Sequence, residues 1–192
     1  MPRQKAVSST QQLRIIGGEW RGRKLTFKPE QGLRPTLDRF RETLFNWLMF
    51  DAEGAHCLDL FAGSGALGLE ALSRGAAAVT FVEKSNQAAQ QIKQHLTTLK
   101  CERGTVVNNS AQAYLENHTA GFDIIFLDPP FHQDLLENTL TLLIENSYIN
   151  EHGYIYIEAE SSFELPSLPN SWQLKREKQV KNKVFFLLQK TT

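Results

Sequence analysis

The sequence predicts an α/β protein with a mostly parallel seven-stranded sheet, an antiparallel C-terminal strand and a small N-terminal β-hairpin. From residue 57 onwards, short apolar runs alternate with helical periodicity, which is the pattern of βαβ units with helices on both faces of a parallel sheet. A glycine-rich stretch joins the first of these runs to the helix that follows. The last two runs are separated only by Lys181, Asn182 and Lys183. A connection that short cannot cross over, so these two strands are expected to be antiparallel to each other.

The individual elements follow from apolar periodicity and from the residues that start or stop them. Strands are predicted over residues 57–61, 78–83, 105–108, 122–128, 154–158, 172–180 and 184–189, and helices over residues 37–50, 66–74, 86–100, 111–117 and 134–146. Thr36 can cap the first helix, because its hydroxyl accepts a hydrogen bond from the first turn. Gly75 is a usual C-terminal stop for the second helix.

The N-terminal segment has a different character from the rest of the chain. Residues 13–27 predict a hairpin, in which Gly17 and Gly18 can supply the positive φ of the turn. The chain is therefore predicted to divide into a basic N-terminal arm and hairpin, residues 1–35, and an α/β domain, residues 36–192.

A net charge of zero hides a charge asymmetry along the chain. Residues 1–41 hold ten basic and three acidic residues, a net of +7, so the remainder carries −7. A basic head on an acidic body favours an anionic partner that docks at one end. Nucleic acid is favoured because tryptophan and phenylalanine are interleaved with the basic residues. The alternative is a solvated arm, or a head that neutralises the protein's own body.

Composition excludes several other classes. There is no run of about 18 apolar residues, so no transmembrane helix is expected, and the polar start of the chain has no secretory apolar region. The two cysteines, Cys57 and Cys101, predict neither a disulfide framework nor a metal site. We expect a cytoplasmic protein.

An apolar run over residues 122–128 ends abruptly in Asp128, Pro129, Pro130 and Phe131. Both faces of the run are apolar, which predicts a buried parallel strand, and prolines cannot extend a central ladder. The tip therefore lies at the carboxyl edge of the sheet, where open α/β folds bind ligands. A carboxylate and backbone carbonyls beside a ring that can stack suit a flat molecule with an amino group. The plain alternative is a strand that ends in a proline turn.

The glycine-rich stretch matches a nucleotide-binding pattern. Gly63, Gly65 and Gly68 have the spacing of the dinucleotide fingerprint, and Glu83 follows 20 residues after Gly63, where an acid commonly holds ribose hydroxyls. Both NAD(P) and S-adenosylmethionine carry an adenosine, so both remain candidates. Asp59 favours S-adenosylmethionine, because a carboxylate there suits an ammonium group and is awkward beside a pyrophosphate. The alternative for Asp59 is a cap on the following turn.

These stretches together resemble the class I S-adenosylmethionine-dependent methyltransferases, and the tip at residues 128–131 resembles that of enzymes methylating exocyclic amino groups. Residues 14–18, 21–25, 34–36 and 41–46 make the head similar to the bacterial RsmD family. This resemblance covers about residues 13–160. It implies a Rossmann-like fold, S-adenosylmethionine as cofactor, and methylation of the N2 of one guanine in 16S ribosomal RNA. The partner it implies is 16S rRNA within the small ribosomal subunit or an assembly intermediate.

The resemblance also implies candidate site residues. The residues expected to bind and align the guanine are Asp128, Pro129, Pro130 and Phe131. The expected cofactor residues are Asp59, Phe61, Ala62, Gly63, Ser64, Gly65, Glu83, Lys84, Asn109, Ser110 and Ala111. The expected RNA-binding residues are Arg14, Trp20, Arg21, Arg23, Lys24, Arg34, Thr36, Arg39 and Arg41. In one departure from many class I enzymes, residues 108–111 offer Asn-Asn-Ser-Ala after the third strand in place of an acid. We expect no metal and no membrane contact, and we expect the protein to be a monomer.

Three other functions stay open from the residues alone. DNA adenine and protein glutamine methyltransferases carry similar acid or amide, proline, proline, aromatic tips, although the sequence has no room for a target-recognition domain. An NAD-dependent oxidoreductase fits the glycine pattern, and equilibrium binding of S-adenosylmethionine against NAD would discriminate it. A non-catalytic RNA-binding protein on a methyltransferase scaffold is disfavoured by the intact tip and loop.

Overall fold

A central sheet with helices on both faces forms the body of the protein. The computed structural model describes residues 11–27, 38–118, 121–130 and 135–191, and over these ranges the chain forms nine strands and five helices. The strands are β1 (Gln11–Arg14), β2 (Lys24–Phe27), β3 (His56–Asp59), β4 (Ala78–Val82), β5 (Gly104–Val107), β6 (Phe122–Leu127), β7 (Ile149–Glu160), β8 (Trp172–Val180) and β9 (Lys183–Lys190). The helices are α1 (Asp38–Trp47), α2 (Ala66–Ser73), α3 (Asn86–Thr98), α4 (Ala111–Glu116) and α5 (Leu135–Glu145). None of these helices is long and apolar enough to cross a membrane.

The seven-stranded sheet has the order β5-β4-β3-β6-β7-β9-β8. The five strands from β5 to β7 are mutually parallel, and β9 pairs antiparallel with both β7 and β8. Only the C-terminal strand is therefore reversed, because β8 runs in the same direction as the parallel five. The predicted fold class is confirmed.

Two apolar cores lie on the two faces of the sheet. The larger one joins the hairpin with α1, α2 and α3, and the smaller one contains apolar residues of α4 and α5. β6 lies mid-sheet between β3 and β7, and every residue of it except Asp123 is buried. This explains the continuous apolar run in the sequence, since helices cover the strand on both faces.

The hairpin forms as predicted, but its turn is longer than a pair of glycines. A nine-residue connection, residues 15–23, joins β1 to β2. It is held by α2, because the N–H of Glu19 donates to the Ser73 carbonyl (2.7 Å) and the N–H of Trp20 to the Ser73 hydroxyl (2.9 Å). Gly18 has a φ of 73°, and a Cβ there would lie 1.8 Å from the Ser73 carbonyl oxygen. Docking on α2 thus replaces the tight turn.

Two other elements differ from the sequence expectation by three or more residues at one end. Helix α1 ends at Trp47, where residues 37–50 were predicted to be helical, while Leu37 and the proposed cap Thr36 lie outside the described residues. Strand β7 begins at Ile149, five residues before the predicted start. It contains a register irregularity beside β6 and a left-handed His152 (φ 63°), so its first half looks like a turn in sequence.

Candidate active site

The loop between β3 and α2 brings the backbone close to the carboxyl edge of the sheet. Gly63 and Gly65 have φ values of 53° and 77°, and Gly65 is the N-terminal cap residue of α2. Gly68 serves a different purpose, because a Cβ there would lie 2.2 Å from the ring of Phe81. The third glycine therefore lets α2 pack directly on β4, and the first two give the loop its left-handed turns.

Glu83 follows β4 and closes on this loop. Its Oε2 accepts the Gly63 N–H (2.7 Å) and its Oε1 accepts the Ser85 N–H (2.6 Å). Both bonds orient the carboxylate at the mouth of the glycine loop. A carboxylate can accept about four hydrogen bonds, so this placement is compatible with holding the hydroxyls of a ribose.

Asp59 is the last residue of β3 and is buried beneath the same loop. Its Oδ2 accepts the Gly68 N–H (3.0 Å). The pKa of Asp59 is raised to about 7, mainly because the carboxyl is buried; the Gly68 hydrogen bond opposes this shift, and the nearby charge of Glu83 adds to it. A cation bound beside such a buried carboxylate would favour its ionised form. Asp59 and Glu83 thus place two carboxylates at this loop, which is compatible with the prediction that they hold an ammonium group and ribose hydroxyls.

The segment after β5 is held to the residues that follow β4 by the Asn108 side chain and the Asn109 backbone. Asn108 donates to the carbonyls of Glu83 (2.8 Å) and Lys84 (3.1 Å), and the N–H of Asn109 donates to the Glu83 carbonyl (3.1 Å). Ser110 caps α4 by accepting the Ala113 N–H (3.2 Å). Asn108 was predicted as the last residue of the strand over residues 105–108 and was not selected as a site residue, whereas β5 ends at Val107.

The remaining predicted cofactor residues surround this edge at different depths. Ala62 is buried and donates its N–H to the Val82 carbonyl (3.0 Å), while Lys84 is exposed. Phe61, Ser64 and Ala111 are half-buried.

The tip after β6 lies next to the glycine loop. In the parallel ladder Asp59 pairs with Phe126, so Asp128 lies only two residues beyond the same level of the sheet. Asp128 is half-buried, Pro129 is buried and Pro130 is exposed. Phe131 lies outside the described residues. The structure thus brings the predicted tip and the predicted cofactor loop together at one edge.

Beside the tip, β7 and β9 contribute three residues that sequence reasoning did not select. Tyr156 is fully buried, and its pKa is raised by burial and by the charges of Glu158 and Asp128, so it stays neutral. Glu158 is also buried and accepts a hydrogen bond from the ammonium of Lys183. Burial raises the pKa of Glu158, and Lys183 opposes that shift. An alternating Tyr-x-Tyr-x-Glu pattern in a predicted strand was the available signal.

The predicted RNA-binding residues divide by exposure. Those on the surface are Arg14, Arg21, Arg23, Lys24 and Arg39. Two are buried, which corrects their assignment as surface contacts. Trp20 packs in the larger core, with the guanidinium of Arg103 5.9 Å from its ring. Arg41 is 1% exposed and donates to the Arg14 carbonyl and to Asp38, both at 2.7 Å. Arg34 and Thr36 lie outside the described residues.

Glu70 links the hairpin to the cofactor helix and was not selected from the sequence. Its carboxylate, buried in α2, accepts the N–H groups of Ile16 (2.9 Å) and Gly17 (2.8 Å) and the Nε–H of Arg74 (2.8 Å). α2 begins at the glycine loop, so one short helix connects the basic hairpin to the candidate cofactor site. The only sequence signal was a single acid within an apolar helix.

Known proteins resemble this chain over nearly its whole length. A family model described as conserved hypothetical protein 95 matches residues 13–189. Ribosomal RNA small subunit methyltransferase D of Escherichia coli (strain K12) is 50% identical over 171 residues, which cover 89% of this chain and 86% of that protein. The protein of the same name from Haemophilus influenzae (strain ATCC 51907 / DSM 11121 / KW20 / Rd) is 48% identical, with 87% and 88% covered. The solved structure of yhhF from Escherichia coli has a TM-score of 0.86 at 48% identity, covering 95% of this chain and 99% of that one.

Proposed function

Because the chain belongs to the family of conserved hypothetical protein 95, the RsmD methyltransferase family, we propose that it methylates the exocyclic N2 of one guanine in 16S ribosomal RNA. S-adenosylmethionine is the methyl donor, as the methyltransferase relatives imply. Ribosomal RNA as substrate is supported by the names of those relatives. The acid-Pro-Pro tip supports an exocyclic amino group as the methyl acceptor, and the choice of guanine N2 rests on the resemblance to the RsmD family. Family membership sets aside the oxidoreductase alternative.

One observation carries the proposal: the cofactor loop and the acceptor tip share an edge of the sheet. β3 and β6 are neighbours, and Asp59 and Asp128 lie at their carboxyl ends. A methyl donor held over the glycine loop and an amino group held at Asp128 would therefore meet without any large movement. An oxidoreductase would need a hydride partner at the tip, whereas a carboxylate and a proline carbonyl are acceptors for an amine.

In the proposed mechanism, the cofactor supplies an already activated methyl group, so the protein's task is alignment. Asp59 binds the ammonium, Glu83 the ribose, and Asn109 lies where the adenine is expected. Asp128 and the Pro129 carbonyl accept hydrogen bonds from guanine N2 and direct its lone pair at the methyl group. The same acceptors stabilise the positive charge that grows on nitrogen in the transition state.

The target base must leave its stack to reach this edge, which costs a few kcal/mol. Phe131 is proposed to stack on the extruded base, worth about 1–3 kcal/mol. Phosphate contacts by the exposed hairpin residues Arg21, Arg23 and Lys24 would offset the remaining cost of extruding the base. In this proposal residues 1–35 grip RNA and residues 36–192 carry catalysis. We further propose a monomer that acts in the cytoplasm on the small subunit or its assembly intermediate.

The decisive experiment maps methylated guanines in 16S rRNA from cells that lack this protein. We expect one N2-methylguanine to be missing and to be restored when purified protein and S-adenosylmethionine are added to those small subunits. Restoration with deproteinised rRNA, tested in parallel, identifies the substrate form. If methylation appears on an adenine, or no guanine is lost, the proposed target is wrong.

A further inference from the structure

Basic residues outside the head are concentrated in the last two strands. Residues 42–192 hold eleven basic and eighteen acidic residues, so this part of the chain is acidic overall. Six of the eleven basic residues nevertheless fall within residues 175–190, namely Lys175, Arg176, Lys178, Lys181, Lys183 and Lys190. The single acid in that stretch is Glu177. A second basic region therefore stands out against the acidic body, and the proposed function does not use it.

Strand β8 displays part of this charge on one face. It is the last strand in the sheet order, and Arg176 and Lys178 are exposed on it. They pair in register with Leu187 and Phe185 of β9, whose side chains belong to the larger core beside α1. Residues two apart in a strand lie on one face, about 6.6 Å apart. Both cations therefore lie on the side of the sheet that carries α1 and the hairpin.

The Lys178 ammonium donates to the Thr43 hydroxyl of α1 (3.1 Å). This contact confirms the face on which β8 presents its cations.

Helix α1 connects this face to the hairpin. At one end, buried Arg41 donates to the carbonyl of Arg14 in β1 (2.7 Å). Beside it, the guanidinium of exposed Arg39 lies 4.7 Å from the Phe40 ring, which in turn packs 4.8 Å from the Phe185 ring of β9. Arg39 and Lys178 thus both lie close to Phe185 on the α1 side of the sheet, and Arg41 ties the same helix to β1 of the hairpin.

A structural explanation exists for lysines on an edge strand. Edge lysines and β-bulges prevent sheets from pairing edge to edge, and β8 has a bulge between Leu174 and Arg176. Edge protection requires only that charged residues occur somewhere along the edge strand, on either face of the sheet. It does not account for the alignment of Arg176 and Lys178 with Arg39 and the hairpin on one face.

We propose that the α1-facing side of β8, through Arg176 and Lys178, is a second contact for the phosphate backbone of the substrate RNA. The inference rests on the proposed function for the identity of the RNA. The hairpin grips one flank of the target and β8 the other, with α1 between them. Two separated grips resist rotation of the RNA while one base is withdrawn, which a single grip at the hairpin cannot do.

The test compares charge-matched variants in RNA binding. Arg176→Gln/Lys178→Gln removes two cations from β8, and Arg21→Ala/Arg23→Ala removes two from the hairpin. Lys93→Gln/Lys100→Gln removes two exposed cations from and just after α3, toward the opposite edge of the sheet, as the control. Each is measured for affinity to a 16S rRNA transcript across a salt series and for methyl transfer to small subunits from cells lacking this protein. Light scattering reports self-association.

We expect the β8 and hairpin variants each to reduce the slope of log affinity against log salt by about 1.4–1.8, because each loses two phosphate contacts. The control should keep the wild-type slope. An unchanged slope in the β8 variant, with a reduced slope in the hairpin variant, overturns the second contact and leaves the proposed function standing. Self-association of the β8 variant at unchanged RNA affinity overturns it in favour of edge protection.

Two further results separate the remaining cases. A β8 variant that transfers fewer methyl groups to small subunits but keeps its affinity and salt slope for the rRNA transcript would indicate a protein partner and overturn the RNA contact. If the wild type transfers no methyl group to rRNA, the proposed function fails, and the salt slopes of the transcript still decide whether β8 contacts RNA.

Discussion

The buried carboxyl of Asp59 lowers the stability of the apoprotein at neutral pH relative to its stability at low pH. Its folded pKa of about 7 exceeds the ordinary 3.8 because the carboxyl is buried. The folded state therefore binds the proton more tightly than the unfolded state does. This contribution to stability is complete below about pH 4 and is lost as pH rises through 7. In the proposed function, the ammonium group of the cofactor would offset this cost when it binds at Asp59.

Asp59→Asn is accordingly expected to stabilise the apoprotein above pH 7 and to abolish cofactor binding. Three pKa units correspond to an upper bound of about 4 kcal/mol, and asparagine can still accept the Gly68 N–H. Urea unfolding from pH 4 to 8, with calorimetric titration of S-adenosylmethionine, measures both effects. Glu145→Gln removes an exposed acid as the control. A variant that binds the cofactor like the wild type would remove Asp59 from the site.

Asp128 is expected to act on the methyl acceptor and not on the donor. Asp128→Ala should reduce methyl transfer by about 10²–10³-fold, the usual effect of losing one group that stabilises transition-state charge. Affinity for S-adenosylmethionine should change little. Tritium transfer measures the turnover, and calorimetry measures the affinity for S-adenosylmethionine. Asp128→Asn keeps an oxygen that can accept a hydrogen bond but removes the carboxylate charge, so it separates these two contributions. Strong residual turnover in the alanine variant would contradict the assignment of Asp128 as a residue that binds the methyl acceptor.

At the scale of elements, α2 has a double role that follows from its two ends. Its N-terminus receives the glycine loop, and Glu70 and Ser73 near its C-terminus hold the backbone of residues 16–20. The position of the hairpin is thus tied to the helix that shapes the cofactor site. These bonds join residues more than 50 positions apart in the chain, so no local pattern could reveal them.

Glu70→Ala should loosen the hairpin without unfolding the sheet. The N–H groups of Ile16 and Gly17 would lose their acceptor, a cost of roughly 1–3 kcal/mol for each group left unsatisfied. Hydrogen exchange should increase over residues 15–23, and Glu70→Gln, which keeps one carbonyl acceptor, should show a smaller increase. Uniformly faster exchange throughout the sheet would instead indicate general destabilisation. RNA affinity is expected to fall more than cofactor affinity.

For the whole molecule, the basic head and the body share one hydrophobic core. Five residues of the head, Leu13, Ile15, Trp20, Leu25 and Phe27, are buried in the larger core together with α1, α2 and α3. The proposed functional division at residue 35 therefore does not coincide with a division of the core. Charge marks the head as distinct in sequence, but its apolar face belongs to the body.

Deleting residues 1–27 should leave a chain that does not fold stably. Five buried side chains contribute about 1.5–3 kcal/mol each, and their sum is comparable to the roughly 5–15 kcal/mol that stabilises a whole domain. Circular dichroism melting should show loss of the cooperative transition. Deleting only residues 1–9 keeps all five side chains and is the matched control. A cooperative melt after the longer deletion would show an independent methyltransferase domain.

The sequence by itself determined the alternation of strands and helices, the glycine loop, and the edge at which Asp59, Glu83 and Asp128 lie. These features are local, since periodicity, glycine and proline act on the few residues around them. Only the tertiary structure decided that Trp20 and Arg41 are buried and that Glu70 holds the hairpin turn. It also decided that Arg176 and Lys178 of β8 lie on the same side of the sheet as the basic head. Burial and facing depend on which distant segments pack together, and composition and spacing carry no record of that packing.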